Sequence, residues 1–440
     1  MQEPTTQDGP DSEGVSQLAW YAQRKPVYTG GNHVSLHKGG DELFPALRDA
    51  IDQARGVVWM AFYMINPHGQ SGMVLQALMR AARRGVAVHL VVDGLGSRDA
   101  PATVWQDLRA ARVQLEVYRP VHRLWGLLDA SQWRRMHVKL CAIDHAVAFI
   151  GGINLIDDRF DLGHGWSALP RLDYAVSVRG PAVTPVIHTV RAMWTRARVG
   201  RDWRDDLVQW SRDPNKLRSL RTLWQQARLK LTPREQGRLQ AGQSSQQPMR
   251  AAFVLRDNLR QRRTIERTAL SSIQQARHRI DIVTPYFYPR RRIRLALRQA
   301  AARGVQVRLL LQGKPDYRIA AMAARVLYAE LQRDGVRIHE YQSAFLHAKV
   351  LVVDDDWASV GSSNLDPLSL VLNLEANLVV RDRGFVQLLT QRLEQDFAHS
   401  HEIQPHDPTQ PSRWRRRIGR AMVSWLAKTY LRLAGATGRY

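Results

Sequence analysis

The sequence predicts an α/β protein made of two similar halves, and three observations carry that reading. The pattern His-x-Lys-x-x-x-x-Asp occurs twice, 210 residues apart: His137, Lys139 and Asp144 in MHVKLCAIDH, then His347, Lys349 and Asp354 in LHAKVLVVDD. The residues that follow correspond as well. Gly151, Gly152 and Asn154 lie 14, 15 and 17 positions after the first His, and Gly361, Ser362 and Asn364 lie at the same offsets from the second. Upstream, SIQQAR at 272–277 echoes AIDQAR at 50–55, and AAARGVQVRLLLQG at 300–313 echoes AARRGVAVHLVVDG at 81–94.

Taken in order, residues 1–26 open with MQEPTTQDGPDSEGVSQL, which has four acids, no base and no apolar stretch. That composition predicts a disordered segment and not a signal peptide. Residues 27–200 form the first half, read as strand, helix, strand, helix, strand and then the His-Lys strand. Residues 201–250 are an Arg-rich helical stretch that ends in the polar run QAGQSSQQP. Helix packing explains the tryptophans at 194, 203, 210 and 224 as well as lipid contact does. Residues 251–400 repeat the plan of the first half, and residues 401–440 form a basic tail. A shared active site at a pseudo-two-fold interface follows from such a duplication.

HVKL and HAKV lie in apolar runs that read as strands, where residues two apart share a face. His and Lys of each copy therefore point one way, while Val138 and Ala348 point into a core. Lys is sparse here, 8 of 64 basic residues, so two at matched positions imply a requirement. Two such clusters brought together supply two His, two Lys and two Asn around one phosphate.

That set suits exchange at a phosphodiester. One His attacks phosphorus to give a phospho-histidine, and the other protonates the departing alkoxide. An incoming alcohol, deprotonated by the second His, then resolves the intermediate. Lys139, Lys349, Asn154 and Asn364 are the candidates for holding the non-bridging oxygens. The scheme calls for no cofactor, and the sequence shows no cluster with metal-ligand spacing. Each His needs an orienting carboxylate. Asp173 in LDYAVSVRG and Glu375 in LEANLVVRD, 36 and 28 residues after their respective His, are the candidates. Asp144 and Asp354 are grouped with the catalytic set as motif members, though aspartates so placed more often anchor local structure than touch phosphate.

Net charge is 64 minus 40, or +24, with a pI near 10.9, which implies an anionic partner: nucleic acid, an anionic bilayer or a polyanion. The single Cys, Cys141, excludes a disulfide framework. No run of 18 apolar residues occurs, so membrane contact is expected to be peripheral. The last 30 residues hold eight basic and no acidic side chains. There Trp414, Ile418, Met422, Trp425 and Leu426 recur at helical steps, the composition of an interfacial helix. VHRLWGLLDASQWRRM, just before His137, carries Trp125, Leu127, Leu128 and Trp133 and reads as a lip beside the active site.

The doublet resembles the phospholipase D superfamily. The resemblance implies two α-β-α sandwich halves related by a pseudo-two-fold, with one shared active site. It further implies that the acid of one half serves the His of the other, Glu375 with His137 and Asp173 with His347, and it favours His137 as nucleophile. GSSNLDPLSLVLNLEANLVV at 361–380 closely resembles bacterial cardiolipin synthase B, as do VTPYF at 283–287, RMHVK at 135–139, AFIGGIN at 148–154 and DYAVSVRGP at 173–181. This likeness runs from about residue 27 to 400. It implies a phosphatidyltransferase that moves a phosphatidyl group from phosphatidylglycerol to an alcohol or a second phosphatidylglycerol. The alternatives are a phospholipase D-type hydrolase and an endonuclease of the same superfamily. The expected partners are anionic phospholipid and the cytoplasmic face of the cell membrane, with no nucleic acid. One departure stands out: related enzymes carry a Glu in the strand matching VVWMAFYM at 57–64, which here is wholly apolar.

Overall fold

The computed structural model describes residues 19–120, 134–161, 165–210, 248–257, 261–314, 327–365 and 373–404. In the first half, β1 (Thr29–Lys38) leads into α1 (Gly39–Asp52), β2 (Val57–Phe62), α2 (Gln70–Arg83), β3 (Ala87–Asp93), α3 (Ala102–Ala110) and β4 (Gln114–Tyr118). There follow β5 (Lys139–Ile143), β6 (Val147–Gly151), the short β7 (Phe160–Asp161) and β8 (Gly165–Trp166), β9 (Tyr174–Arg179) and the long α4 (Val183–Trp210). The second half holds β10 (Met249–Arg256), α5 (Thr264–Gln275), β11 (Arg279–Thr284), α6 (Arg291–Ala302), β12 (Gln306–Gln312) and β13 (Arg337–Tyr341). It ends with β14 (Val350–Val353), β15 (Trp357–Gly361), β16 (Glu375–Arg381), α7 (Arg383–Ala398) and β17 (Ser400–Glu402).

From the middle outward, the two halves match strand for strand. The first runs β1-β9-β6-β5-β2-β3-β4 and the second β10-β16-β15-β14-β11-β12-β13, with β17 added at the far edge. Antiparallel pairing of β1 with β10 joins them. In each half the outer three strands are parallel, because α2 and α3 in the first half, and α6 between β11 and β12 in the second, return the chain to the same end of the sheet. Short apolar runs such as VLVV and WASVG are buried along their whole length, as strands covered on both faces are.

Alternate residues of these strands feed different cores. Leu140, Ile150 and Val176 join Val350, Val360 and Leu378 in one cluster between the halves, which α4 and α7 complete. Cys141, Phe149 and Ala175 instead face α1 and α2, and Leu351, Trp357 and Val379 face α5 and α6. Two sheets back to back, each with helices outside, are the sandwich plan expected from the duplicated sequence.

The structure adds elements that the sequence reading lacks. In the first half α3 and β4 intervene before the His-Lys strand, and β13 has the same place in the second half. QLEVY and RIHEY are short and interrupted by polar residues, so neither shows an apolar run. β17 extends the sheet beyond β13. Trp194 is a core residue: its Nε1 donates to the Gln114 carbonyl at 3.0 Å, and its ring lies 4.9 Å from His89 and 5.9 Å from Trp59. The Trp125–Trp133 lip, Trp224 and residues 405–440 of the C-terminal tail lie outside the described residues, while the first two residues of that tail belong to β17. Among the described residues, no helix is long and apolar enough to cross a membrane.

Candidate active site

Each motif His sits just before its strand, on a segment that crosses to the other half. Met136 bridges Leu374 in parallel, and Leu172 bridges Leu346 in the same way. The His137 amide donates to the Leu374 carbonyl at 3.1 Å and the His347 amide to the Leu172 carbonyl at 2.8 Å. Glu375 follows Leu374 and Asp173 follows Leu172, so each crossing delivers a carboxylate to the opposite imidazole. His137 Nδ1 lies 3.1 and 3.2 Å from the two Glu375 oxygens, and His347 Nδ1 lies 2.7 Å from Asp173 Oδ2. The two imidazole centroids are 6.5 Å apart. With Nδ1 committed to the acid, Nε2 of each ring is the atom left for chemistry.

The sequence between the crossings explains why the acids fit. A Cβ on Gly152 would come within 2.3 Å of Asp173 Oδ1, so the short Asp requires Gly beside it. At the matching place in the second half, Ser362 Oγ donates to Glu375 Oε2 at 2.6 Å. The pairs Gly152–Asp173 and Ser362–Glu375 are two solutions to one spatial problem. Both acids are almost wholly buried.

Lys139 and Lys349 are 2% and 3% exposed, whereas the imidazole side chains keep 14% and 24% of their exposure. A ligand therefore meets the two His rings first, with the ammonium groups beneath. Each ammonium donates to the carbonyl of its own motif His, Lys139 at 3.1 Å and Lys349 likewise, which leaves further donors for an anion. Burial pushes Lys139 down to about 8, against the pull of Glu375, Asp173 and Asp93. It pushes Lys349 down to about 7, against Asp173 and with Lys139 adding to the effect. Desolvation and the neighbouring lysines also hold both imidazoles below their ordinary value, His347 well below it. Asp173 is pushed up to about 6 by burial, against Lys349. These shifts describe a cationic pocket awaiting an anion.

Asn154 and Asn364 follow β6 and β15 by three residues and are buried at 7% and 6% exposure. Ile150 pairs with Leu140, so Asn154 leaves the sheet at the end where Lys139 lies. Its Oδ1 is buried without a hydrogen-bond partner. Asp144 and Asp354 are not part of this cluster, although the motif groups them with it. Asp144 sits past the far end of β5 and accepts from the amides of Arg55, Gly56 and Val57 at 2.7 to 2.8 Å. Asp354 does the same for Arg277, His278 and Arg279 at 2.8 to 3.1 Å. Both adopt left-handed backbone, with φ of 50° and 54°. They tie the turn after each His-Lys strand to the start of the neighbouring strand, and their role is structural.

Three contributors escape sequence reasoning. Tyr63 packs edge-on against His137 with centroids 4.9 Å apart, and the Lys139 ammonium lies 5.3 Å from its ring centre. Asp93, at the end of β3, accepts from the Met136 amide at 2.8 Å and faces Arg135 at 3.7 Å, which fixes the segment that carries His137. Gln312 replaces it in the second half and accepts from the Leu346 amide at 2.9 Å. Comparing the repeats AARRGVAVHLVVDG and AAARGVQVRLLLQG aligns Asp93 with Gln312, and that correspondence was the available signal. Ser362 belongs to the repeated motif, but its pairing with Glu375 is visible only in the fold.

The family model for the cardiolipin synthase, phospholipase D-like domain matches residues 47–165 and 269–397. The chain belongs to that family. Cardiolipin synthase B of Salmonella typhi is 36% identical over 366 residues, which cover 83% of this chain and 80% of that protein. Cardiolipin synthase A of Pseudomonas putida F1 is 32% identical over 376 residues, 86% of this chain and 71% of that protein. Among solved structures, phosphatidylserine synthase of Haemophilus influenzae Rd KW20 superimposes with a TM-score of 0.60, covering 97% of this chain and 98% of that one. At 13% identity that likeness speaks for the two-half fold alone.

Proposed function

We propose that this family member is a phosphatidyltransferase. It takes the phosphatidyl group of phosphatidylglycerol and passes it to an alcohol, in cardiolipin synthesis a second phosphatidylglycerol. The observation that carries this reading is the pair of imidazoles 6.5 Å apart, each backed by a carboxylate from the other half. A nucleophile about 3 Å from phosphorus, with an acid hydrogen-bonded to the leaving oxygen on the opposite side, needs a separation of that order.

In the first step Nε2 of His137 attacks phosphorus, the P–O bond to the headgroup glycerol breaks, and His347, which takes up a proton when the anionic phosphate binds beside it, delivers that proton to the departing oxygen. In the second step the acceptor hydroxyl gives its proton to His347 and attacks phosphorus, and the P–N bond breaks. Atoms and charge balance over the cycle, and His137 returns neutral. Lys139 and Lys349, with Asn154 and Asn364, hold the non-bridging oxygens in a site preorganised for an anion. Glu375 and Asp173 keep the Nδ1 protons in place. Membership of the family, the +24 charge and the cationic pocket support an anionic phospholipid substrate met at a membrane surface.

The test is product analysis by mass spectrometry after incubating purified protein with phosphatidylglycerol, with and without added alcohols. Cardiolipin, or the phosphatidyl ester of the added alcohol, is expected. Phosphatidic acid as the sole product would make the enzyme a hydrolase, and cleavage of nucleic acid in place of lipid turnover would make it a nuclease. His137→Ala is expected to abolish the covalent phosphoryl intermediate, and His347→Ala to allow at most its slow formation. Phosphate trapped on His347 alone would exchange the two roles.

A further inference from the structure

We infer that the segment Gly165–Leu169 is a membrane-insertion element, with Trp166 and Leu169 entering the interfacial layer of an anionic bilayer at the mouth of the active site. The inference rests on the phosphatidyl-transfer reading for its substrate, and it adds the surface on which the enzyme sits while it works.

The two halves differ here. From Asn364 to Glu375 is 11 residues, and from Asn154 to Asp173 is 19. The extra eight lie in the stretch that carries the two-stranded β7–β8 ladder, with Phe160 opposite Trp166. Both ends of this excursion are tied to the active site. It leaves just after Asn154 and returns at Leu172, whose carbonyl accepts from the His347 amide, and at Asp173, the acid of His347. The charge of Arg171 bears on His347, Asp173 and Lys349.

Trp166 is 62% exposed and Leu169 51%, the two most exposed large apolar side chains among the described residues. Single exposed apolar residues are ordinary on soluble proteins, but two placed three residues apart on a buttressed loop whose chain returns directly to the acid of His347 are not scattered. The loop is held from behind. Ser167 N donates to the Arg159 carbonyl at 2.6 Å, and Arg171 N to the Asp158 carbonyl at 2.8 Å. Arg171 Nη2 reaches the Phe160 carbonyl at 3.3 Å and Asp161 Oδ2 at 3.1 Å, and Phe160 packs against Trp166 at 5.3 Å. The indole and the isobutyl group are thus held outward on ordered backbone.

Charge selects the occupant. Residues 165–171 contain no acid, their one base is paired with Asp161, and the chain carries +24 overall, so an anionic leaflet attracts the protein as a whole and meets no carboxylate on this segment. A second copy of the chain would bring the same positive charge against it. Trp is favoured at the headgroup boundary, where an amphipathic ring meets water on one side and hydrocarbon on the other.

The experiment uses the full chain with vesicles made of equal parts phosphatidylglycerol and phosphatidylcholine. Cys141, the one Cys, is wholly buried, so Leu169→Cys accepts an environment-sensitive dye selectively. On adding vesicles the dye is expected to shift to the blue and to be quenched by lipids brominated along the acyl chains. The double variant Trp166→Ser with Leu169→Ser is expected to bind these vesicles about tenfold more weakly, with turnover of detergent-dispersed substrate unchanged. A dye that stays solvated on bound vesicles overturns the proposal, as does unchanged vesicle affinity of the double variant. So does a self-association that the double variant abolishes while vesicle binding persists. Insertion is read without turnover, so its failure and a failure of the phosphatidyl-transfer reading are separate results.

Discussion

Asp173 Oδ2 lies 2.7 Å from His347 Nδ1, whereas its counterpart Glu375 stands 3.1 Å from His137 and gives its other oxygen to Ser362. The pseudo-two-fold thus relates two imidazoles that are held differently. Among the described residues no second side chain hydrogen-bonds to Asp173, and the Tyr174 amide at 2.8 Å is its local support. Glu375 is held by a hydroxyl as well as by its His.

Asp173→Asn is therefore expected to lower kcat by roughly 10²–10⁴-fold, since the amide favours the wrong tautomer of His347, while KM changes little. Glu375→Gln is expected to lose less, because Ser362 still positions the side chain. Single-turnover kinetics on phosphatidylglycerol read both, and equal losses would remove the asymmetry argued here.

Gly152→Ala places a methyl group 2.3 Å from Asp173 Oδ1, and so acts on His347 through its acid. A fall in kcat of about a hundredfold is expected, with a modest loss of thermal stability. Ser362→Ala removes one hydrogen bond to a charged group and is expected to lower kcat about tenfold. If Gly152→Ala proved as active as the parent enzyme, the close approach would have no functional weight.

Asp144→Ala and Asp354→Ala each release backbone amides and place Ala in left-handed backbone. A loss of roughly 1–3 kcal/mol of stability is expected for each. Asn, which tolerates that conformation and keeps one acceptor, should lose less. Activity per folded molecule at low temperature should stay near that of the parent. A large fall in kcat without a change in melting temperature would place these aspartates in the chemistry after all.

The pH profile follows from the signs of the shifts. A lysine with a lowered pKa carries its charge only below that value. The free enzyme therefore sheds positive charge as pH rises through about 7 for Lys349 and about 8 for Lys139. kcat/KM is expected to fall across that range. On the acid side it should fall as Asp173 takes a proton near 6. With phosphatidylglycerol bound, its phosphate favours the charged lysines, so the alkaline limb of kcat should lie higher than that of kcat/KM. A kcat/KM that stays flat to about pH 9 would show that the lysines are charged throughout.

The sequence by itself determined the duplication, the kinds of residue that meet at the site, and the chemistry those kinds can perform. These are legible because they depend on spacing along the chain: His137 and Lys139 are two residues apart, and the second motif repeats the offsets of the first. The two-half α/β plan followed from the same repetition. The sequence already pointed to an anchoring part for Asp144 and Asp354, but only the tertiary structure showed which amides they hold, that Gly152 makes room for Asp173 while Ser362 holds Glu375, and that Tyr63 and Asp93 support His137. It alone set Trp194 in the core and Trp166 in solvent, although both are tryptophans in polar surroundings. Strands β4 and β13 are illegible because polar residues break their short runs. The reason is the same in each case: these relations join residues far apart in the chain, and the crossing of Leu374 against Met136 is fixed by how two sheets pack, a quantity that no local pattern carries.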